Sequence, residues 1–518
     1  MKATFYVSKL AALAAVFFAL TGCEKEMDDY SQGAPGSSIS SDQRDVPFSF
    51  YALAGGSKLA FFAAGSTEQA ASTVTITGLQ AGETILSIDF RPATGQLYGV
   101  SSASRLYVLN PQTGAARAVG AGPFTPAVSG AIAGFDFNPT VDRIRLVTNT
   151  GQNLRLNPET GTVAAVDGSI NGAAGASIAA VAYTNNVAGA TTTTLYDIDV
   201  AGQKLYVQNP PNNGTLVEVG DLKLKVTGEG GFDIAPGTNT ALGLFEVNKK
   251  PTLFTIDLAT GDTRILAKYD KDLSYTGIAI PTQPVAYAVT ATNALLIFNL
   301  DNPTATVSKP ITGLQASETL VGIDFRPVNG QLYAVSSASR IYTINTSSGA
   351  AAFVAALSAA GTPLLLAGSS FGVDFNPVVD RIRIVSNTGQ NLRVNPVDGV
   401  TLVDAALNPG APAVTGAAYA NNFAGTTTTT LFDIDVNSDK LFIQNPPNNG
   451  TLVEVGNLGV NVEAATGFDI GGTSNTAFAL LASGGGTKLY RINTSSGAAT
   501  PLGDFPAPAS GFAVGLGF

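Results

Sequence analysis

From residue 48 onward the chain is a succession of short apolar runs rich in Val, Ile, Leu, Tyr and Phe, each broken by Gly, Pro, Asn or Asp. No long stretch places apolar residues at helical spacing, so the pattern predicts an all-β protein. The runs recur in groups. "ILSIDFRP" (85–92), "IAGFDFNP" (132–139), "IAAVAYTN" (178–185) and "GGFDIAPG" (230–237) each open a unit of roughly 45 residues. A second strand follows in each, "QLYGVS", "RIRLVT", "TLYDID" or "ALGLFE", and then a third strand and a hairpin. The hairpin turns "LNPQTG", "LNPETG" and "IDLATG" combine an Asn or Asp that accepts backbone hydrogen bonds with a Gly that takes positive φ. Four strands per unit is the size of a β-propeller blade, which hides its vulnerable edges by stacking around a ring.

A longer repeat overlies this one. "DFRPATGQLYGVSSASRLY" (89–107) returns as "DFRPVNGQLYAVSSASRIY" (324–342), and "VDRIRLVTNTGQNLRLNP" (141–158) returns as "VDRIRIVSNTGQNLRVNP" (379–396). Two duplicated halves of about 236 residues follow, 47–283 and 284–518. The first unit of each half lacks an opening strand. "SYTGIAIP" (274–281) and "ASGFAVGLGF" (509–518) are opening strands without a unit of their own. Pairing each with the start of its half predicts two tandem five-bladed β-propellers. The alternative is one ten-bladed propeller, in which "GIAIPTQPVAYAV" runs straight on into the next blade.

The signatures "DFRP...GQLY" and "DFNP..DRIRLV.N.GQN.R.NP" resemble a bacterial domain of unknown function, number 4394, over nearly everything after residue 47. The resemblance implies a propeller-like extracytoplasmic domain with no established activity, and it transfers no catalytic residues.

Residues 1–22 begin with Lys2 and Lys9 and carry an 11-residue apolar run at 10–20, the pattern of a signal peptide. That run is too short to span a hydrocarbon core of about 30 Å. "LTGC" resembles the lipobox, in which Cys23, the chain's single cysteine, becomes the acylated N-terminus. Residues 23–46 are polar and acidic, a disordered tether. "CEKEMDD" resembles the acidic export signals of some bacterial surface lipoproteins. The expectation is an exported outer-membrane lipoprotein, on its periplasmic or cell-surface face. A net charge of −10 disfavours nucleic acid as a partner.

There is no histidine and no second cysteine. This excludes Ser-His-Asp and Cys-His catalysis and His-ligated transition metals. No cofactor or metal is expected. Carboxylates and arginines remain. Asp89, Asp136 and Asp233 hold equivalent places in their opening strands, as do Asp324, Asp374 and Asp469. Were those strands to line the channel, each set would converge and permit glycoside hydrolysis. The alternative is that each aspartate hydrogen-bonds the next turn or pairs with an arginine. Strand alternation puts Arg143 and Arg145 on one face, with Arg155 in the next strand, and Arg381, Arg383 and Arg393 repeat this. With Asp136 and Asp374 they form a candidate ligand site for a carboxylate, sulfate or phosphate. As scaffold, the arginines would use Asp136, Asp142 and turn carbonyls. "DIDVNSDK" (433–440) spaces Asp433, Asp435, Asn437 and Asp439 as calcium loops do, without the customary glycine.

The expected role is therefore binding and not enzymatic, with an unknown protein or glycan as partner and the membrane reached through the N-terminal lipid. A carbohydrate-active hydrolase using the channel aspartates and a structural envelope spacer are the alternatives.

Overall fold

The computed structural model describes residues 45–518, except the side chains of 464–466. The signal peptide, Cys23 and nearly all of the tether lie outside the described residues. The tether expected over 23–46 ends sooner, because Asp45 and Val46 belong to the folded body. Val46 is buried in the first core cluster, and Asp45 accepts hydrogen bonds from the backbone and hydroxyl of Thr67.

Ten four-stranded antiparallel sheets form among the described residues, together with one small hairpin, Ser358–Ala359 with Thr362–Pro363. Most sheets run in chain order, as in Ile85–Phe90, Leu97–Ser101, Leu106–Leu109 and Ala116–Val119. Two do not. Tyr275–Ala279 crosses back to pair with Phe50–Ala54, matching Tyr51 to Ala279 and Ala52 to Ile278. In the same way Gly511–Val514 pairs with Val285–Val289, matching Tyr287 to Ala513.

These two pairings close two rings. In the first, the inner strands Tyr275–Ala279, Ile85–Phe90, Ala133–Asn138, Ile178–Tyr183 and Val226–Ile234 neighbour one another in that order and return to the start. The second runs through Gly511–Val514, Leu320–Arg326, Phe371–Asn376, Val414–Tyr419 and Ala464–Ile470 and likewise returns. The chain is thus an all-β, propeller-like protein, and the strand that the ten-bladed alternative would run onward instead turns back.

Burial falls from axis to rim. Ala133–Asn138 and Arg143–Thr148 are almost wholly buried, whereas outermost Thr162–Val166 alternates exposed with half-buried residues. Inner strands are covered on both faces by neighbouring sheets. The core therefore lies between sheets, as where Tyr98 of one meets Phe137 of the next edge-on at 5.2 Å between ring centroids. The repeated hairpins close as their composition dictates: Asn110 accepts from the N–H groups of Gln112 and Thr113, and Gly114 takes φ +76°.

Near the axis the backbones approach so closely that only glycine fits. A β-carbon on Gly134 would lie 2.7 Å from the Val181 nitrogen, and one on Gly231 2.2 Å from that of Ile278, each in the next inner strand.

The two rings belong to one compact unit. Arg91 donates to the Gly330 carbonyl at 2.9 Å, the Tyr287 hydroxyl to Ala93 at 2.9 Å, and the Gly517 N–H to Thr94 at 2.7 Å. The ring of Phe518 covers Gly95.

Gly134→Ala should destabilise the protein by about 1–3 kcal/mol, since the new methyl has to push two backbones apart. At Gly122 a β-carbon meets nothing within 4 Å, so Gly122→Ala should shift stability by under about 0.5 kcal/mol. Equilibrium urea unfolding of both variants measures this, and equal effects would mean the inner strands do not touch.

Candidate functional site

The six repeated aspartates gather into two buried triads. Asp89, Asp136 and Asp233 each bring a carboxylate oxygen within 4.8 Å of the others in the first ring, and Asp324, Asp374 and Asp469 do so in the second. Each aspartate sits one or two residues before the end of its strand, and there it reaches the next blade. Asp89 accepts the N–H of Phe90 and that of Phe137 in the following inner strand, at 2.7 and 2.8 Å. Asp233 accepts those of Ile234 and Ile280, both at 2.6 Å. Asp136 accepts only the N–H of Tyr183, at 3.1 Å. The second ring repeats the scheme through Phe375, Tyr419 and Val514. Alanine holds the equivalent place in the other two blades, Ala182 and Ala279 in the first ring and Ala418 and Ala513 in the second. Each carboxylate is a staple between neighbouring blades.

Burial pushes all six carboxyls up, and mutual repulsion pushes most of them further. Asp136 is raised well above the usual range by burial and then by the charges of Asp89 and Asp233. Burial and the charge of Asp233 raise Asp89. Asp233 and Asp469, each steadied by two backbone N–H groups, are pushed up to about 7 by burial. Such a triad shares protons, and Asp136 and Asp374, with one backbone bond apiece, are the natural carriers. Three carboxylates are also the donor type of a hard cation. A cation would have to displace those protons.

Hydrolysis of a glycan requires access, and the triads have none. Asp89, Asp136 and Asp233 are each 1% exposed. At the axis of the second ring, one glycine from each inner strand, Gly322 and Gly467 among them, surrounds a cavity of only about 10 Å³, room for about one water. Glycosidase carboxyls stand apart by about 5–9.5 Å with a sugar between them. Here the carboxylate oxygens lie within 4.8 Å of one another and are closed off from solvent.

The paired arginines are also internally engaged. Arg145 donates to Asp167 at 2.6 Å, Asn153 at 2.7 Å, Asn212 at 2.8 Å and the Tyr183 hydroxyl at 3.3 Å. Arg155 places two bonds on the same Asp167, at 2.8 and 2.9 Å. Arg143 turns to the carbonyl of Asp142. Arg383, Arg393 and Arg381 repeat each contact with Asp404, Asn391, Asn448, Tyr419 and Asp380. The structure thus corrects the grouping of Asp136 and Asp374 with these arginines: both acids join the triads. The counter-ions are Asp167 and Asp404. Their signal in the sequence is that an aspartate follows the third strand at nearly the same distance in both halves. Asp142, expected near Arg145, instead binds Arg91 through two bonds, at 2.9 and 2.5 Å.

The calcium-like spacing does not form a loop site. Asp433 turns inward, wholly buried, with neither oxygen partnered and its carboxyl pushed up to about 8 by burial. Asp435 caps the turn, accepting from the backbone of Ala413 and Asn437 and the hydroxyl of Ser438.

A family model described as a domain of unknown function (DUF4394) matches residues 58–279 and again 294–513. The chain belongs to the DUF4394 family. No curated protein matches this DUF4394 chain. One similar solved structure is described as "Structural and functional probing of PorZ, an essential bacterial surface component of the type-IX secretion system of human oral-microbiomic Porphyromonas gingivalis". It is 12% identical over 90% of this chain and 58% of its own, with a TM-score of 0.26, too remote to bear on fold or role. Among the described residues of the DUF4394 repeats no helix is long and apolar enough to cross a membrane.

The triads set a pH dependence. Unfolded aspartate titrates near about 3.9. With folded values raised to about 7 for Asp233 and Asp469, the native state holds more protons between those limits. The triad's contribution is therefore fully present below the unfolded value and is lost as pH rises through about 7. The melting temperature should fall between pH 5.5 and 8.5, and Asp136→Asn with Asp374→Asn should flatten the fall. Asp233→Asn should cost about 1–3 kcal/mol more than Asp136→Asn, because its amide would face the Ile280 N–H donor. Calorimetric scans across that range test both statements.

Proposed function

We propose that this protein is a lipid-anchored binding module of the bacterial envelope, without catalytic activity, whose ligand is a protein or a glycan. The anchor reading is supported by "LTGC" at 20–23 behind an apolar run flanked by lysines. The acidic segment that follows would hold a globular body clear of the headgroups.

One observation carries the binding reading. On the outermost strands of two neighbouring blades of the second ring, Phe353 and Leu402 are 54% and 55% exposed, and Leu365 between them in sequence is 74% exposed. Strand register makes Ala118 and Ala165 their counterparts in the first ring, opposite Tyr107 and Arg155 as Phe353 and Leu402 are opposite Tyr342 and Arg393. The blade folds with alanine there; Phe353 adds an edge-on contact to Tyr342 at 5.8 Å between ring centroids and still leaves about half its surface exposed. Large apolar side chains exposed on neighbouring outer strands are the material of interaction sites. They favour a protein partner over a glycan.

A photo-crosslinking residue at position 353, in cells, should capture one discrete protein, and the capture should be lost in the Leu402→Ser background. Glycan-array binding with no crosslink would shift the ligand to a carbohydrate. If neither occurs while deletion alters envelope mechanics, the spacer reading replaces this one. Cys23→Ser should abolish acyl labelling and release the protein from the membrane fraction.

A further inference from the structure

Where the two rings meet, a cleft of about 440 Å³ opens between the second blade of the first ring and the second ring. Leu97, Val108, Leu109 and Pro111 line one side, and Phe423 and Leu516 the other. Its size is that of a small-molecule site. Arg117 is the single charged residue in the lining.

Arg117 is half-buried and meets no carboxylate within ion-pair distance, a trait it shares with Arg143 and Arg381. Arg91, Arg145, Arg155, Arg326, Arg383 and Arg393 each meet a carboxylate within ion-pair distance. Arg117 donates only to carbonyls, those of Val328 at 2.7 Å, Ala118 at 3.4 Å and Pro327 at 3.5 Å. Burial lowers its pKa. A partly desolvated cation with no counter-charge is unfavourable unless an anion reaches it.

The blade's own strands do not need this arginine, which bonds to Val328 and Pro327 of the second ring. Arg117 pairs with Val108, and at the equivalent register of the second ring Ala352 pairs with Thr343. The copy that faces the cleft carries the guanidinium, and the other carries a methyl group.

We propose that the inter-ring cleft binds a small amphipathic carboxylate. The apolar body fills the space between Leu97, Val108 and Phe423. The carboxylate pairs with Arg117, whose remaining N–H groups supply charge-assisted bonds to it. This site is separate from the outer-strand surface proposed above and does not depend on the partner there or on the lipid anchor.

Calorimetric titration of the full chain with octanoate, octan-1-ol and acetate tests the proposal. Octanoate should bind at least about tenfold more tightly than octan-1-ol, which lacks the anion, and than acetate, which lacks the apolar body. Arg117→Ala gives up its bonds to Val328 and Pro327 of the second ring, so its melting temperature should fall slightly, and in protein still folded at the assay temperature it should lose about tenfold or more in octanoate affinity with octan-1-ol unchanged. Phe423→Ala, on the opposite wall, should weaken both octanoate and octan-1-ol. The proposal is overturned if octanoate fails to bind, if octan-1-ol matches it, or if Arg117→Ala binds octanoate as well as the unmodified chain does.

Discussion

Everything in this molecule follows from the antiparallel pairing that shuts each ring, between the last strand of a half and the first. Without it each half would end in an unpaired inner strand at one side and a three-stranded sheet at the other, both exposing backbone donors and acceptors to aggregation. With it, the five inner strands press together around an axis. That closeness leaves no space for β-carbons at positions such as Gly134, Gly231, Gly372 and Gly467. It also leaves almost no channel. The site that a propeller often offers at its centre is here filled by backbone.

The same crowding accounts for the buried polar chemistry. Inner strands of adjacent blades are neighbours without forming a continuous hydrogen-bonded sheet, so some of their N–H groups need another acceptor. Asp89, Asp136 and Asp233 provide one, at the cost of bringing three carboxyls together away from water. Protonation relieves the repulsion. Arg145 and Arg383, with Asp167 and Asp404, tie the third and fourth blades of each ring in a comparable way. Buried networks of this sort hold their elements in one arrangement because every alternative strands a charge.

Duplication then separates scaffold from individuality. Features present in both rings, the triads and the arginine forks, lie inside the fold and bond to its own groups. The departures lie at surfaces: Arg117 against Ala352, Phe353 against Ala118, and Leu402 against Ala165. Glu159 belongs to this set as well. It joins the buried Arg91–Asp142 pair at the ring interface, while its counterpart in the second half is the exposed Val397. One copy has been shaped to receive the other ring, and the second to face outward.

Strand periodicity, turn chemistry and the unmatched segments at 274–281 and 509–518 are enough to specify an all-β, bladed fold with two closures, because alternation, Asx-Gly turns and unpaired edges are local or countable properties of a chain. The convergence of the repeated aspartates can likewise be anticipated from their place in the opening strands. Whether they converge on an open channel or on backbone is settled only by the distance between inner strands, which no local pattern encodes. The partners of the arginines escape sequence reasoning for the same reason: Asp142 is nearest in sequence, yet the twist of the blades carries it to Arg91 and brings Asp167 beneath Arg145. Above all, the cleft beside Arg117 exists only because two rings pack against each other. Such packing is a property of two assembled surfaces, and a repeat pattern within one chain holds no record of which faces will meet.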